Sequence, residues 1–462
     1  MRDHCGVFGI YNATGRDMAR SVYFGLFALQ HRGQESAGIA SSDGDQIRYH
    51  KGMGLVNQVF DEKTLNHLEG NISLGHVRYS TTGSSIIENA QPVVIDTRYG
   101  TIALAHNGNL VNAKDLRFEL MEKGYTFVGT SDSEVMAAMI ATSKKSDLED
   151  AIIETLSECL GAFSVIIMLK DRLIAVRDPN GIRPLTIGKL ENGYVFSSET
   201  CALDIVGAEH LRYVNNGEMV VADKKGLRSK TWATTEREAL CVFEYIYLAR
   251  PDSVLHGRSV YDTRFSMGKY LAKEHPIEAD MVMGVPESGI PAAIGYAAES
   301  KITFGEGLIK NRYVGRTFIQ PSQEMRELGV KLKLNPIRDA VRGKKVILVD
   351  DSIIRGTTSR QLIKLVREAG AREVHMRISS PPNINPCFYG IDTATKAELI
   401  AANLSIEGIR KYLEADSLGY LSLKNLIRAI SLPGKNLCMA CLNGEYPVQV
   451  PEKMQSLKLF FK

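Results

Sequence analysis

The sequence predicts two domains of different class: a sheet-rich α+β domain over residues 5–230, then an α/β domain with a parallel sheet over residues 231–462. Three observations predict this. Over the first part of the chain, short apolar runs alternate with Gly-rich turns, the pattern of antiparallel strands with few helices. Later in the chain, apolar runs lead through Gly-rich turns into helical segments, the pattern of βα units that bury a parallel sheet between helices. Between the two, residues 223–238 are charged and turn-rich, and the boundary falls near Thr231.

In the first domain, strands are expected over residues 6–11, 72–77, 102–105 and 164–169, each an apolar run bounded by glycine or polar residues. Helices are expected over residues 18–29 and 133–140. The second follows Thr130, Ser131 and Asp132, residue types whose side chains accept from the free N–H groups of a first helical turn. In the second domain, strands are expected over residues 281–286 and 345–350, the latter feeding a helix that opens at Ser359. Between Lys396 and Ile430, Leu and Ile recur at the spacing of amphipathic helices. There is no internal repeat, which excludes a solenoid.

Hydrophobic residues make up 44% of the chain and charged residues 24%, a balance that supports cores and argues against disorder. The 56 basic and 53 acidic side chains leave a net charge of +3, too little for a chain-wide attraction to nucleic acid or membrane. Neither partner is expected, and anion sites must be local. Seven cysteines, an odd and small number, suit reduced thiols and a cytoplasmic location. No apolar stretch has the length of a signal peptide core or of a membrane helix.

The densest chemistry lies in residues 346–358. An apolar strand ends in Asp350 and Asp351, and Arg355, Gly356, Thr357 and Thr358 then offer backbone N–H groups and hydroxyls at the start of a helix. Such groups cradle phosphate, and two adjacent carboxylates suit ribose hydroxyls or a magnesium ion. A lone acidic pair is more often a helix cap; the whole stretch in this order is much more specific. It resembles the phosphoribosyl pyrophosphate (PRPP) signature of type I phosphoribosyltransferases, and residues 283–290, with Glu287, Ser288 and Gly289, resemble the pyrophosphate loop of the same fold. The resemblance implies that these residues bind PRPP, with Mg2+ at Ser288, Asp350 and Asp351. Between the two motifs stand Lys310, Arg312 and Arg316, followed by Arg326, Lys331 and Lys333. A charge run is ordinarily a solvated face. In this family the segment is a flexible loop that orders over PRPP, and Lys310, Arg312 and Arg316 are assigned to it.

The first half carries a second set. Cys5 stands directly before the strand at 6–11, and polar motifs rich in Arg, Asn, Gly and Asp follow at residues 28–38, 75–83, 105–110 and 130–134. A single cysteine near a terminus is commonly inert, but polar motifs at the ends of apolar strands suit a binding pocket. The set resembles the class II glutamine amidotransferases, which are N-terminal nucleophile hydrolases of layered αββα architecture. The resemblance implies that residues 1–4 are a propeptide and that Cys5, once terminal, is the nucleophile with its own α-amino group as base. It further implies that Arg78 holds the glutamine carboxylate and Asp132 its ammonium, while Asn107 and Gly108 form the oxyanion hole.

Together the halves resemble the glutamine PRPP amidotransferases over essentially the whole chain. The implied reaction hydrolyses glutamine, passes ammonia inside the protein and displaces pyrophosphate from PRPP, giving 5-phosphoribosylamine for purine synthesis. Glutamine and PRPP are the implied substrates, purine nucleotides the implied feedback inhibitors, and a homo-oligomer, dimer or tetramer, the implied assembly. Other class II amidotransferases lack the 346–358 signature. A catalytically silent sensor would not need Cys5, Arg78 and Asp132 together, and an electron-transfer protein would need neither motif set. A last set of residues is Cys241, Cys387, Cys438 and Cys441, the last two in C-x-x-C spacing. Four thiolates suit zinc or a 4Fe-4S cluster equally well on ligand type. The resemblance implies the 4Fe-4S cluster, present in one branch of the family. Cys159 and Cys201 match no motif and are expected in the core.

Overall fold

A computed structural model describes residues 5–15, 17–80, 83–235, 237–311, 334–391 and 395–452. Thirteen strands build the first half: β1 (Gly6–Asn12), β2 (Ser36–Ser42), β3 (Ile47–Met53), β4 (Ile72–Arg78), β5 (Val93–Thr97), β6 (Gly100–Leu110), β7 (Gly161–Met168), β8 (Leu173–Arg177), β9 (Thr186–Leu190), β10 (Gly193–Ser197), β11 (Glu209–Tyr213), β12 (Glu218–Asp223) and β13 (Gly226–Thr231). They form two antiparallel sheets, ordered β11-β9-β10-β1-β4-β2-β3 and β13-β12-β8-β7-β6-β5. Alternation along each strand explains the layering. Val7 and Tyr11 of β1 meet Ile166 and Met168 of β7 in the core between the sheets. Phe8 and Ile10 point the other way, onto the helix Met18–Ala28. Val165 and Ile167 of β7 likewise face the helices Asp132–Thr142 and Leu148–Glu158. The result is the expected αββα sandwich.

The second half contains β14 (Leu240–Cys241), β15 (Val254–Leu255), β16 (Arg258–Ser259), β17 (Met281–Gly284), β18 (Leu308–Lys310), β19 (Leu334–Pro336), β20 (Lys345–Asp350), β21 (Glu373–Ile378), β22 (Ser417–Tyr420) and β23 (Leu437–Cys438). Strands β17-β20-β21-β22 form a wholly parallel sheet. Its central strand is apolar on both faces because both are covered. Val346 and Leu348 enter one core with Leu362 and Val366 of the helix Thr357–Glu368. Ile347 and Val349 enter another that reaches Val111, Ala162 and Ile182 of the first half. The two halves therefore share buried apolar surface.

Three expectations change. Residues 223–230 do not interrupt the first domain: they are the β12–β13 hairpin, paired through Ala222 with Leu227 and Asp223 with Gly226. Their charge reflects a tight turn and a solvated edge strand, where charged side chains also block edge-to-edge pairing. The helix after β20 opens at Thr357 rather than Ser359, because Gly356 at φ +79° makes the turn two residues earlier. Between Lys396 and Ile430 the helices Ile406–Leu413 and Leu423–Ile430 do occur, but β22 lies between them as the edge strand of the parallel sheet.

Candidate active sites

The start of β1 sets the first site. Because Gly6 pairs with Val77 across β1 and β4, Cys5 lies beside Arg78 and Tyr79 at the ends of those strands. Its thiol donates to the Tyr79 carbonyl at 3.5 Å. Cys5, Arg78, Tyr79, Gln91, His106, Gly108, Ser131, Asp132 and Ser133 line one narrow cavity. Asp132 opens its helix behind the Ser131 cap; it accepts from the Leu110 amide at 3.0 Å and lies 3.9 Å from His106 Nδ1. Arg78 pairs with Glu35 at 2.7 Å, and Glu35 also accepts from the Ser80 amide at 3.2 Å. Gly108 sits at φ +153°, where an added Cβ would lie 1.9 Å from the Ala162 carbonyl oxygen, so only glycine fits there. Asn107 is fully buried beside it and does not line the cavity, and both atoms of its side-chain amide are without a hydrogen-bond partner. A polar group desolvated without a partner is costly, so Asn107 is an unsatisfied buried amide next to Gly108.

Sequence reasoning missed Gln91, His106 and Glu35 as site residues. Gln91 holds the strand by accepting from the His106 amide at 2.7 Å. Only its place before Pro92 hinted at a special local geometry. His106 and Glu35 stood inside quoted motifs with no role assigned.

Burial raises the Cys5 thiol to about 11, against a smaller opposing effect from its hydrogen bond to Tyr79 and the charge of Arg78. At pH 7 only about one thiol in ten thousand is then ionised, and the thiolate is the nucleophile. While residues 1–4 remain attached, alkylation of Cys5 by iodoacetamide should rise about tenfold per pH unit between pH 7 and 10. Peptide mass mapping measures it; a rate already at its plateau near pH 7 would show a different activation of the thiol.

The second site lies at the C-terminal ends of β17 and β20. Parallel pairing carries Gly284 beside Val349, and the Val285 amide donates to the Val349 carbonyl at 2.8 Å. This brings the loop with Glu287, Ser288 and Gly289 against Asp350 and Asp351. Ser288 and Ser352 each donate to an Asp351 carboxylate oxygen at 2.5 Å. Asp350 accepts from the Asp351 amide at 2.9 Å. Burial raises both carboxyls, and the Asp351 charge raises Asp350 further, whereas the two serine hydroxyls work to lower Asp351. Gly356, Thr357 and Thr358 form the entry to the following helix, with amides free of intrahelical partners by position. Arg355 turns its guanidinium to Glu398 at 3.2 Å. Lys310 reaches Glu287 at 3.5 Å. Arg312 and Arg316, with Arg326, Lys331 and Lys333, lie outside the described residues, as do residues 1–4.

The cysteines form the third group. Cys241 and Cys438 are direct partners where β14 pairs with β23 in parallel. The Tyr389 amide donates to the Cys387 sulfur at 3.4 Å, and the Ile384 and Asn385 amides both donate to the Cys441 carbonyl at 3.0 Å. All four thiols are buried and near enough that each pair interacts electrostatically. Burial pushes Cys241 to about 11 and the thiols of Cys438 and Cys441 higher still. Among the described residues, no group of three or more His, Cys, Asp or Glu is placed to hold a single metal ion. Cys159 and Cys201 are buried elsewhere, as expected.

An αββα sandwich with a cysteine cavity, joined to a parallel sheet whose strand ends carry paired carboxylates and a phosphate-type turn, defines a glutamine amidotransferase fused to a phosphoribosyltransferase. Comparison agrees: residues 76–204 match the glutamine amidotransferase domain family and residues 260–379 the phosphoribosyl transferase domain family. Amidophosphoribosyltransferase of Synechococcus elongatus is 54% identical over 99% of this chain and 94% of that protein. That of Methanocaldococcus jannaschii is 51% identical over 96% of this chain and 98% of that protein. The solved glutamine PRPP amidotransferase of B. subtilis, complexed with ADP and GMP, superposes with a TM-score of 0.92 at 48% identity, covering 97% of this chain and 98% of that one. The chain belongs to the amidophosphoribosyltransferase family. It is a pentosyltransferase of the glutamine amidotransferase type, transferring the amide nitrogen of glutamine to PRPP in the first step of de novo purine synthesis. Among the described residues, no helix is long and apolar enough to cross a membrane.

Proposed function

We propose that the two half-reactions are divided between residues 5–230 and 231–462, with residues 1–4 removed to free the Cys5 amine. The observation that carries this reading is the convergence of Cys5, Arg78, Gly108 and Asp132 on one cavity. The free α-amino group takes the thiol proton, which a thiol held near 11 does not release unaided. The sulfur attacks the glutamine amide carbon, Arg78 holds the substrate carboxylate and Asp132 its ammonium. The developing oxyanion meets the Gly108 amide and the side chain of Asn107, whose lack of a partner suits that task. In the second site, Gly356, Thr357 and Thr358 cradle the 5-phosphate, with Arg355 carrying the turn that leads into them. Glu287, Ser288 and Gly289 face the pyrophosphate with Lys310 beside Glu287, and Asp350 with Asp351 orient the ribose. Ser288 and the two aspartates offer hard oxygen donors to Mg2+, which would neutralise the leaving pyrophosphate. Cys241, Cys387, Cys438 and Cys441 would hold a structural 4Fe-4S cluster. A cytoplasmic homo-oligomer, dimer or tetramer, inhibited by purine nucleotides, completes the reading; the ADP and GMP complex of the B. subtilis relative supports the last point.

Intact mass and metal content of one purified sample test processing and cofactor together. The expected sample lacks residues 1–4, is brown, contains about four irons per chain and hydrolyses glutamine faster with PRPP present. Air should bleach it and unfold it in parallel, because a cluster clipping together segments nearly 200 residues apart in sequence stabilises through metal bonding and loop closure. A colourless, iron-free and fully active enzyme would remove the cluster from the reading.

A further inference from the structure

Beside the cavity lies a chain of buried charges that takes no part in the chemistry above. Arg32 is 1% exposed and does not line the cavity. Its Nε donates to the Cys5 carbonyl at 3.0 Å, and its two terminal nitrogens grip Glu244 of the second domain in a fork, both at 3.0 Å. Nη1 also donates to Glu199 at 2.6 Å. Glu244 stands three residues after Cys241 and accepts a further bond from Arg183 at 3.3 Å. Arg183 in turn donates twice to the Tyr389 carbonyl, at 3.2 and 2.7 Å, and the Tyr389 amide is the one bonded to the Cys387 sulfur. Every side chain in this series is buried.

A second, separate link reaches the other wall of the cavity. Asn109, one residue past Gly108, donates to the Phe388 carbonyl at 2.8 Å. Gly390 packs so closely on Gly108 that an added Cβ would stand 3.1 Å from the Gly108 carbonyl group. Thus the Cys5 carbonyl is tied through Arg32 to Glu244, and the strand carrying Gly108 rests on residues 388–390, within the two segments that also present Cys241 and Cys387.

We infer that Arg32 and Glu244 are positioning residues for Cys5, and that the cysteine-bearing segments of the second domain are the plate on which the glutaminase site is aligned. A buried ion pair contributes little net stability compared with apolar side chains of the same volume, but it fixes direction, since a guanidinium fork matches a carboxylate in one plane only. Here the direction fixed is that of the Cys5 carbonyl, and hence of the Cα that carries both the thiol and the amine. A small misplacement of a nucleophile costs rate without costing ground-state binding. The inference rests on the reading of Cys5 as nucleophile.

The test uses the processed full-length enzyme carrying Glu244→Gln, with Glu244→Asp as the conservative variant and Cys5→Ala as control. Glu244→Gln should lower kcat for glutamine hydrolysis by about 10- to 100-fold with KM little changed. Labelling of Cys5 by a diazoketone analogue of glutamine should slow to the same extent, while ammonia-dependent synthesis stays within about twofold and Glu244→Asp restores part of the rate. The pair Arg32→Met with Glu244→Met leaves fewer lone buried charges and should show the same selective loss if Glu244→Gln does not fold. Unchanged glutamine hydrolysis overturns the inference. So does a parallel fall of both activities that tracks loss of folded protein, or failure of every variant to fold, either of which leaves the network a purely structural one. Glutaminase activity surviving in Cys5→Ala would instead overturn the nucleophile reading on which the inference stands.

Discussion

Asp350→Asn combined with Asp351→Asn is expected to lower synthesis of phosphoribosylamine at least about 10³-fold, whether glutamine or ammonia supplies the nitrogen, while basal glutamine hydrolysis survives. The reason is placement. The two carboxylates end β20 beside the Ser288 loop and one turn before the phosphate-type helix entry, and they are the strand's only charged groups at that end. Amides of the same shape keep the packing but give up the anionic oxygens that a hard cation and ribose hydroxyls require. The fold should not suffer. Burial raises both carboxyls in the ligand-free state, and the Asp351 charge raises Asp350 further, so ionising them there works against the folded form. By linkage, that stability is full below the ordinary carboxylate range and declines as pH rises through the raised values. The double variant should therefore melt at or above the wild-type temperature at neutral pH. Steady-state kinetics with both nitrogen sources, together with a thermal melt, measure both arms. Normal PRPP turnover in the double variant removes these residues from the site; lost activity accompanied by a fall in Tm shows a structural role instead.

Cys5→Ala in the processed enzyme should abolish glutamine-dependent synthesis, by about 10³-fold or more, and leave ammonia-dependent synthesis within about twofold. The thiol's hydrogen bond is a weak one to the Tyr79 carbonyl, and the alanine leaves a gap of one sulfur atom, costing about 1 kcal/mol. Nothing at the β17–β20 end depends on it, because the two sites are built on different sheets. Assays at high ammonium concentration and alkaline pH, where free ammonia is abundant, make the comparison. Equal loss of both activities would mean that the sites are not separable.

The elements named at the outset stand because each was an apolar run or a capped periodic segment, features set by local chemistry. The run at 345–350 became a strand buried on both faces, and Ser131 capped the helix of Asp132 by accepting from the Glu134 amide. Candidate residues were equally legible where a motif was contiguous, as at 350–358. What was not legible came from pairing between distant segments. The cavity at Cys5 is lined from five separate stretches, and Gln91 belongs to it only because the register of β6 brings His106 opposite its side chain. Charge misled at 223–230, where a hairpin on an edge strand has the composition of a linker.

The sequence by itself determined the strands and helices, the two motif sets and the residue types at each site, because those follow from side-chain period, capping and the donor chemistry of neighbouring residues. Tertiary structure alone decided which charges are buried. Arg32, Arg183 and Glu244 have the composition of a surface, yet they form a solvent-free chain from the Cys5 carbonyl to the cysteine-bearing segments. A guanidinium is stable in that setting only when folding delivers a carboxylate from far along the chain, here 212 residues away for Arg32 and Glu244, and no local pattern encodes that meeting.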